Sequence, residues 1–299
     1  MGSPSNHISL IRRIVRAKWA YIFIAPAILH FLVFNVYPIL STVYLSFMRF
    51  NLQGNAFVGM QNYQIALSDQ VFWKSMANTA LYTMVVVPVG IGISLFLSAL
   101  IFPLRPSTQN FYKGALYLPG VVSAVVVSMI WLWMFDSAHG LLNYLLSVAG
   151  LNPISWLGES RTALPSLMFM AVAGGGGAAI ILYLAAMGGI PPTLYEAAQI
   201  DGANRWTEFW RITLPLLKPT TLYLAVMGTI GSFQVFTSIY MMTRGGPNYA
   251  TSTIVYSIYQ AAFEFLKLGR ASAMALILAL IIITVSAIQF KLLGTEVEY

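Results

Sequence analysis

Residues 188–219 read GGIPPTLYEAAQIDGANRWTEFWRITLPLLKP. Long apolar runs flank this stretch, and only the N-terminus is richer in charge. Pro191 and Pro192 suit the start of a helix, where a missing N–H costs little. Thr193 to Ile200 then reads as a short helix, and Gly202 suits the left-handed position that ends one. A second short helix carries Trp206, Phe209 and Trp210 and reads to Leu214, with Pro215 as its stop. The stretch is therefore a helix–turn–helix beneath a bundle of membrane spans. From the residues alone two readings stay open. One is an amphipathic pair lying on the membrane surface. The other is a docking knob, with small Ala197 and Ala198 allowing close approach and Glu196 available for an ion pair.

Working outward, the chain has 299 residues, of which 58% are hydrophobic and 8% charged. Soluble domains carry about 25% charged residues. This composition excludes a soluble enzyme, a disordered chain and a coiled coil, and leaves an all-α polytopic membrane protein. A transmembrane β-barrel would show segments of about ten alternating residues, whereas the apolar runs here are long and continuous. Six of them fit a bilayer, near 20–45, 79–102, 114–135, 163–187, 219–241 and 271–293. The domain plan is an N-terminal segment 1–19, a six-helix transmembrane body 20–293 containing the loop 188–218, and a tail 294–299.

The net charge of +7 would point to nucleic acid in a soluble protein. In a membrane protein it follows from Lys and Arg collecting in cytoplasmic loops, so no nucleic-acid partner is expected. Placing the N-terminus inside puts ten basic residues on the cytoplasmic side and six outside. Arg12, Arg13, Arg16 and Lys18 precede the first span, and both chain ends are expected in the cytoplasm. That span is too long for a signal peptide and lacks a convincing cleavage site, so it reads as retained. With no cysteine, and with His7, His30 and His139 far apart, no metal site or thiol nucleophile is expected. No acidic residue or histidine stands in a span where a base or metal ligand would be needed, apart from His30 near the middle of the first. This disfavours an intramembrane enzyme and an ion-coupled transporter.

The loop resembles the EAA motif of binding-protein-dependent ABC importer permeases. That pattern is Glu-Ala-Ala, three residues, Gly, nine residues, Ile, one residue, Leu-Pro. Glu196-Ala197-Ala198, Gly202, Ile212 and Leu214-Pro215 match every spacing. The resemblance extends over nearly the whole chain and narrows to sugar permeases of the maltose-transport type. Pro26, Tyr37, Pro38, Ser46 and Phe47 resemble that family's first helix. Gly59, Asn62, Tyr63, Phe72, Trp73, Asn78 and Thr79 resemble its next block. Leu118-Pro119, Trp131 and Gly140-Leu141-Leu142-Asn143 resemble the third. Thr243-Arg244-Gly245-Gly246-Pro247, Tyr259, Ala262-Phe263 and Gly269 resemble the block before the last helix.

The resemblance implies a multi-pass protein of a bacterial inner membrane. It implies four kinds of partner: a second EAA-bearing permease, two ATPase subunits, a solute-binding protein outside the cytoplasm, and the sugar itself, with lipid around the bundle. The chain has no G-x-x-x-x-G-K-[ST] motif, so it holds no cofactor by that route, and ATP with Mg belongs to the ATPase. Glu196, Ala197 and Ala198 are then the expected contact with the ATPase, with Asp201 and Gly202 shaping the turn.

For the substrate path, the fifth span offers Thr229, Ser232, Phe236 and Tyr240 at helical spacing, with helix–helix hydrogen bonding as the competing role. Two departures from the family stand out. Gly120 follows Leu118-Pro119 where an aromatic is usual, with Ser123 just beyond. The fourth span carries four consecutive glycines within Ala173–Ala178, including Gly175. Either this run allows close helix packing, or it empties a cavity and softens the helix. Both departures remove volume where the family binds sugar, which points to a substrate larger than a disaccharide. An acidic oligosaccharide such as an alginate fragment is one candidate, although no basic residue stands mid-membrane to receive it. The alternatives are an importer of the same class for glycerol phosphate or another polyol, and a channel or scaffold outside the ABC class.

Overall fold

A computed structural model describes residues 18–51 and 54–293. The basic residues Arg12, Arg13 and Arg16 and the tail 294–299 lie outside the described residues, so the structure does not bear on the ends of the domain plan. The fold is helical, with one short antiparallel hairpin, β1 (Met48–Asn51) and β2 (Gly54–Phe57). Four helical stretches are long and apolar enough to span a bilayer: α1 (Tyr21–Ser46), α3 (Gln70–Ile101), the stretch Lys218–Met242, and α14 (Leu268–Leu293). Between β2 and α3 lies only the short α2 (Gln61–Ser68).

Two further spans are bent pairs, which brings the total to six if each pair counts once. The third expected span, 114–135, is not one helix. It is α4 (Pro106–Val121) followed by α5 (Ala124–Met134), turned by 91°. The reason lies in the residues L-P-G-V-V-S. Pro119 has no N–H for the helix ladder, Gly120 weakens the last turn, and Val122 and Ser123 are extended. Ser123 then starts the next helix, its hydroxyl accepting from the Val125 N–H at 3.4 Å.

The fourth span is α7 (Ala163–Gly174) and α8 (Gly177–Gly188), bent by 45° at the glycine run. Gly176 has φ +100°, a conformation closed to most side chains. At Gly177 a Cβ would collide with the backbone of Leu116 and Tyr117. The run therefore does two things. Gly175 and Gly176 break the helix, and Gly177 lets α8 lie directly on α4. The stretch Lys218–Met242 also changes direction within itself, as α11 (Lys218–Phe233) and α12 (Thr237–Met242).

Three elements complete one end of the bundle: α2, α6 (Leu141–Val148) and α13 (Ile254–Tyr259). α13 continues through a π-helical turn, Gln260–Glu264. Hydrogen bonds lace this end together. Buried Asn62 donates to the carbonyls of Ser46 and Met48 at 2.8 and 2.9 Å. Asn78 donates to the carbonyls of Tyr249 and Ser252, both at 2.9 Å. The buried Ser75 hydroxyl bonds those of Ser252 and Ser257. The Asn143 side-chain oxygen accepts from the Ile154 N–H and the Trp156 indole, both at 3.0 Å. Arg270 pairs with Asp69, which also caps α3.

Candidate functional site

The opposite end carries the 188–219 stretch, folded as a helix–turn–helix. The first arm is α9 (Pro192–Ile200), with Pro192 in its first turn. Its C-terminus is a full Schellman closure. The Ala203 N–H reaches the Ala198 carbonyl at 2.9 Å, and the Gly202 N–H reaches that of Gln199 at 3.0 Å. Gly202 takes φ +81° to do so. The second arm begins at α10 (Arg205–Glu208), where Asn204 accepts from the Thr207 N–H at 2.8 Å. It continues through a π-helical turn, Phe209–Thr213, and a last turn, Leu214–Leu216. Pro215 does not end this arm as the sequence led us to expect. It sits in the first turn of Leu214–Leu216, where its missing N–H is not required.

The two arms are clasped by Tyr195–Thr213 at 2.9 Å and by Gln199 donating to Glu208 at 2.9 Å. Glu196, Ala197, Asp201 and Gly202 are exposed and Ala198 is half-buried. Glu196 has no hydrogen-bond or ion-pair partner among the described residues. Ile200, one turn on along the first arm, and Trp206 on the second are 87% and 70% exposed.

Both arms lead straight to a cavity inside the bundle. Its volume is about 300 Å³, at the lower end of the range of ligand sites. α3, α7, α8 and α11 flank it as an open cleft, and Gly175, Ala178 and Ser232 line it together with Ser94, Gly90 and Gly228. No charged side chain is in the lining. α8 runs from this cavity to α9, and at about 1.5 Å per residue it is roughly 18 Å long. α11 runs from the second arm, with only Leu217 intervening, to Ser232 at the cavity. Between loop and cavity the helices are tied. The Tyr183 hydroxyl bonds Thr221 at 3.0 Å, and Tyr183, Met187 and Leu217 form one fully buried cluster. A force on the loop therefore reaches two walls of the cavity through two coupled rods.

The remaining residues expected on the path lie elsewhere. Gly120 and Ser123 are exposed at the α4–α5 turn. Thr229 faces away from the cavity, accepting from the Gln289 amide of α14 at 2.8 Å. Phe236 sits past the end of α11 in a ring cluster with Tyr240, Tyr256 and Tyr259. The interruption at Gln234–Phe236 takes Phe236 and Tyr240 off the face of Ser232, whereas Thr229, on the same unbroken helix as Ser232, is turned to the last helix by its bond to Gln289. Reading the sequence missed Ser94, Gly90 and Gly228. A small residue recurring every fourth place, Gly90-x-x-x-Ser94-x-x-x-Ser98, was the signal available for the first two.

Comparison with known proteins gives a consistent picture. The family described as binding-protein-dependent transport system inner membrane component matches residues 87–293. The chain is 34% identical to the arabinooligosaccharides transport system permease protein AraP of Bacillus subtilis (strain 168), over 92% of this chain and 88% of that one. It is 35% identical to the sn-glycerol-3-phosphate transport system permease protein UgpA of Agrobacterium fabrum (strain C58 / ATCC 33970), over 93% and 96%. Among solved structures, a chain of a bacterial ABC transporter that imports the acidic polysaccharide alginate shares the fold. Its TM-score is 0.86 at 24% identity, covering 97% of this chain and 99% of that one.

Proposed function

The chain belongs to the family of binding-protein-dependent transport system inner membrane components, and from that premise we propose that it is one transmembrane half of an ATP-driven sugar importer. The family places it in the inner membrane, in a system that depends on a separate binding protein. In our reading the 188–219 loop and both chain ends face the cytoplasm, and the laced end faces the binding protein. A second EAA-bearing permease completes the pathway. Two ATPase subunits hold ATP and Mg, and the loop docks on one of them.

One observation carries this reading: an unpartnered Glu196 on an exposed helix joined to two cavity-lining helices. Closure of the ATPases on ATP would draw the loop with them. α8 and α11, tied by Tyr183 and Thr221, would transmit that motion to the cavity at Ala178 and Ser232. Glu196 supplies the charge for the docking contact, and Gly202 fixes the turn that presents it.

The cargo we propose is an oligosaccharide. Hydroxyls, small residues and apolar surface line the cavity, and a sugar ring presents the matching mixture of C–H faces and O–H edges. The second reading, glycerol phosphate, is favoured by the 35% identity to UgpA. A phosphate dianion in a cavity without Lys or Arg would lose its hydration uncompensated, so the sugar stands first. The test is capture of this chain from native membranes in mild detergent, with identification of its companions. A Walker-type ATPase and a second EAA-bearing membrane protein are expected. Recovery of the chain alone, with uptake unaffected by Glu196→Lys, would return the loop to a membrane-surface role.

A further inference from the structure

Beyond Ser232, toward the laced end, the side chains change character. Val235 packs on the cluster of Tyr82, Leu164 and Met168, as do Val86 and Ala171 of the cavity wall. The next residue, Phe236, begins a run of rings. Phe236 stacks on Tyr240 at 5.4 Å and meets Tyr259 at 5.0 Å. Tyr240 meets Tyr259 edge-on at 5.3 Å, and Tyr259 meets Phe263 at 5.2 Å. The run draws on two separate elements, α12 with its preceding residue and α13 with its π turn. A π turn inserts one residue and re-aims those around it, and such turns collect at functional sites. Here it sets Phe263 one step out from Tyr259.

The rings are not all serving the core. Tyr256 is core, 3% exposed against Leu167 and Ile239, and Phe236 and Tyr240 pack on that cluster with part of each left open, whereas Tyr259 and Phe263 are not among its packing partners. Phe263 is 69% exposed, and Phe236, Tyr240 and Tyr259 are each half-buried. Polar groups stand along the outer part of the run: the two tyrosine hydroxyls, and Gln260 donating to Glu264 at 3.0 Å. Flat apolar faces edged by hydroxyl, amide and carboxylate groups match a sugar ring. Its C–H face packs on the negative face of an aromatic ring, and its hydroxyls both donate and accept at the edge.

We propose that Phe263, Tyr259, Tyr240 and Phe236 form a stacking track that receives an oligosaccharide at the outer mouth and passes its rings to the cavity at Ser232. The proposal rests on the importer reading and adds an entry site to it. A longer chain covers more rings of the track at once, so the track serves long chains more than short ones.

The experiment uses the complete importer with its binding protein in proteoliposomes. The probes are malto- and arabino-oligosaccharides from disaccharide to pentasaccharide, with uptake measured at saturating binding protein. Tyr259→Ala and Phe263→Ala should each slow pentasaccharide uptake about tenfold, the order of one lost stacking contact, and disaccharide uptake by about twofold or less. Tyr259→Phe, which keeps the ring, should restore most of the rate. ATPase activity without binding protein should be unchanged in all three. Equal losses at every chain length, with altered ATPase activity, would make the rings a contact with the second permease and overturn the track. No change at any length would make them lipid-facing and overturn it too. A wild-type importer that moves none of these sugars would overturn the sugar reading itself, and the track with it.

Discussion

The two ends of this bundle follow opposite rules. At the laced end, buried and half-buried polar side chains bond across the chain, the Arg270 Nε being an exception among the described residues. Asn62, Asn78, Thr79 and Asn143 each bond backbone from another segment. At the end that carries the loop, α9 and α10 are clasped to one another, yet Glu196 has no partner among the described residues and Ile200 and Trp206 are exposed. A satisfied end is a frame. Exposed apolar groups occur at both ends, and what sets the loop end apart is a helix pair clasped only to itself, with Glu196 and Ile200 presented on its first arm. The difference separates residues that hold the fold from residues that serve a partner, and substitutions should divide the same way.

The largest effect is expected at the open end. Glu196→Lys should reduce ATP-driven uptake about 30-fold or more, since losing one side of a buried charged contact costs about 2–5 kcal/mol. Insertion and melting temperature should stay at wild-type values, and normal uptake would erase the distinction between the ends. Next comes Asn143→Ala at the laced end. It leaves the Ile154 N–H and the Trp156 indole without their acceptor. The expected loss is about 1–3 kcal/mol of stability, read as a lower melting temperature, with uptake per folded molecule preserved.

Two smaller changes probe the link between the ends. Gly202→Ala forces a side chain into the left-handed region and should cost about 1–2 kcal/mol, with uptake falling further than global stability does. Tyr183→Phe removes only the hydroxyl that ties α8 to α11. It should cost about 1 kcal/mol and uncouple a fraction of ATP hydrolysis from uptake, measured as a higher ratio of ATP split to sugar moved.

The smallest effect belongs to Asp136 at the laced end. Its carboxylate accepts from the backbone N–H groups of His139 and Ala138, which hold its pKa below the ordinary 3.8. A lowered folded pKa means the contribution is complete above the unfolded value and is lost as pH falls through the folded one. The melting difference between wild type and Asp136→Ala should therefore be small and constant near neutrality, and should vanish only below the ordinary carboxylate range.

Much of this was legible in the sequence. Composition alone gave a polytopic helical protein, and the spacing from Glu196 to Pro215 gave the helix–turn–helix with Gly202 at its left-handed corner. The broken spans were harder to see. A hydropathy run is blind to direction, so L-P-G-V-V-S at 118–123 reads as continuous although Pro119 and the Ser123 cap turn it by 91°. The glycine run posed packing and softening as alternatives, and the structure assigns neighbouring glycines to each. On the path, Gly175, Ala178 and Ser232 meet in one cavity, while Thr229 turns to Gln289 and Phe236 to the outer rings. Periodicity assumes an unbroken helix, and the interruption at Gln234–Phe236 removes that assumption for Phe236, while Thr229 is claimed by a neighbouring helix that the sequence does not reveal. The Asn62, Asn78 and Asn143 positions, legible only as family-like letters, prove to be cross-links of the outer frame.

The central claim is that the open end docks an ATPase. The chain contains no cysteine, so Thr193→Cys, one turn before Glu196 on the exposed first arm, gives a single attachment point in this chain and leaves Glu196 in place. Treating native membranes that carry this variant with a short bifunctional maleimide, and identifying the cross-linked product, tests the claim directly. The account predicts an adduct with a nucleotide-binding ATPase subunit, reduced when that subunit is deleted. An adduct confined to lipid, or none while the thiol remains reactive, would contradict it.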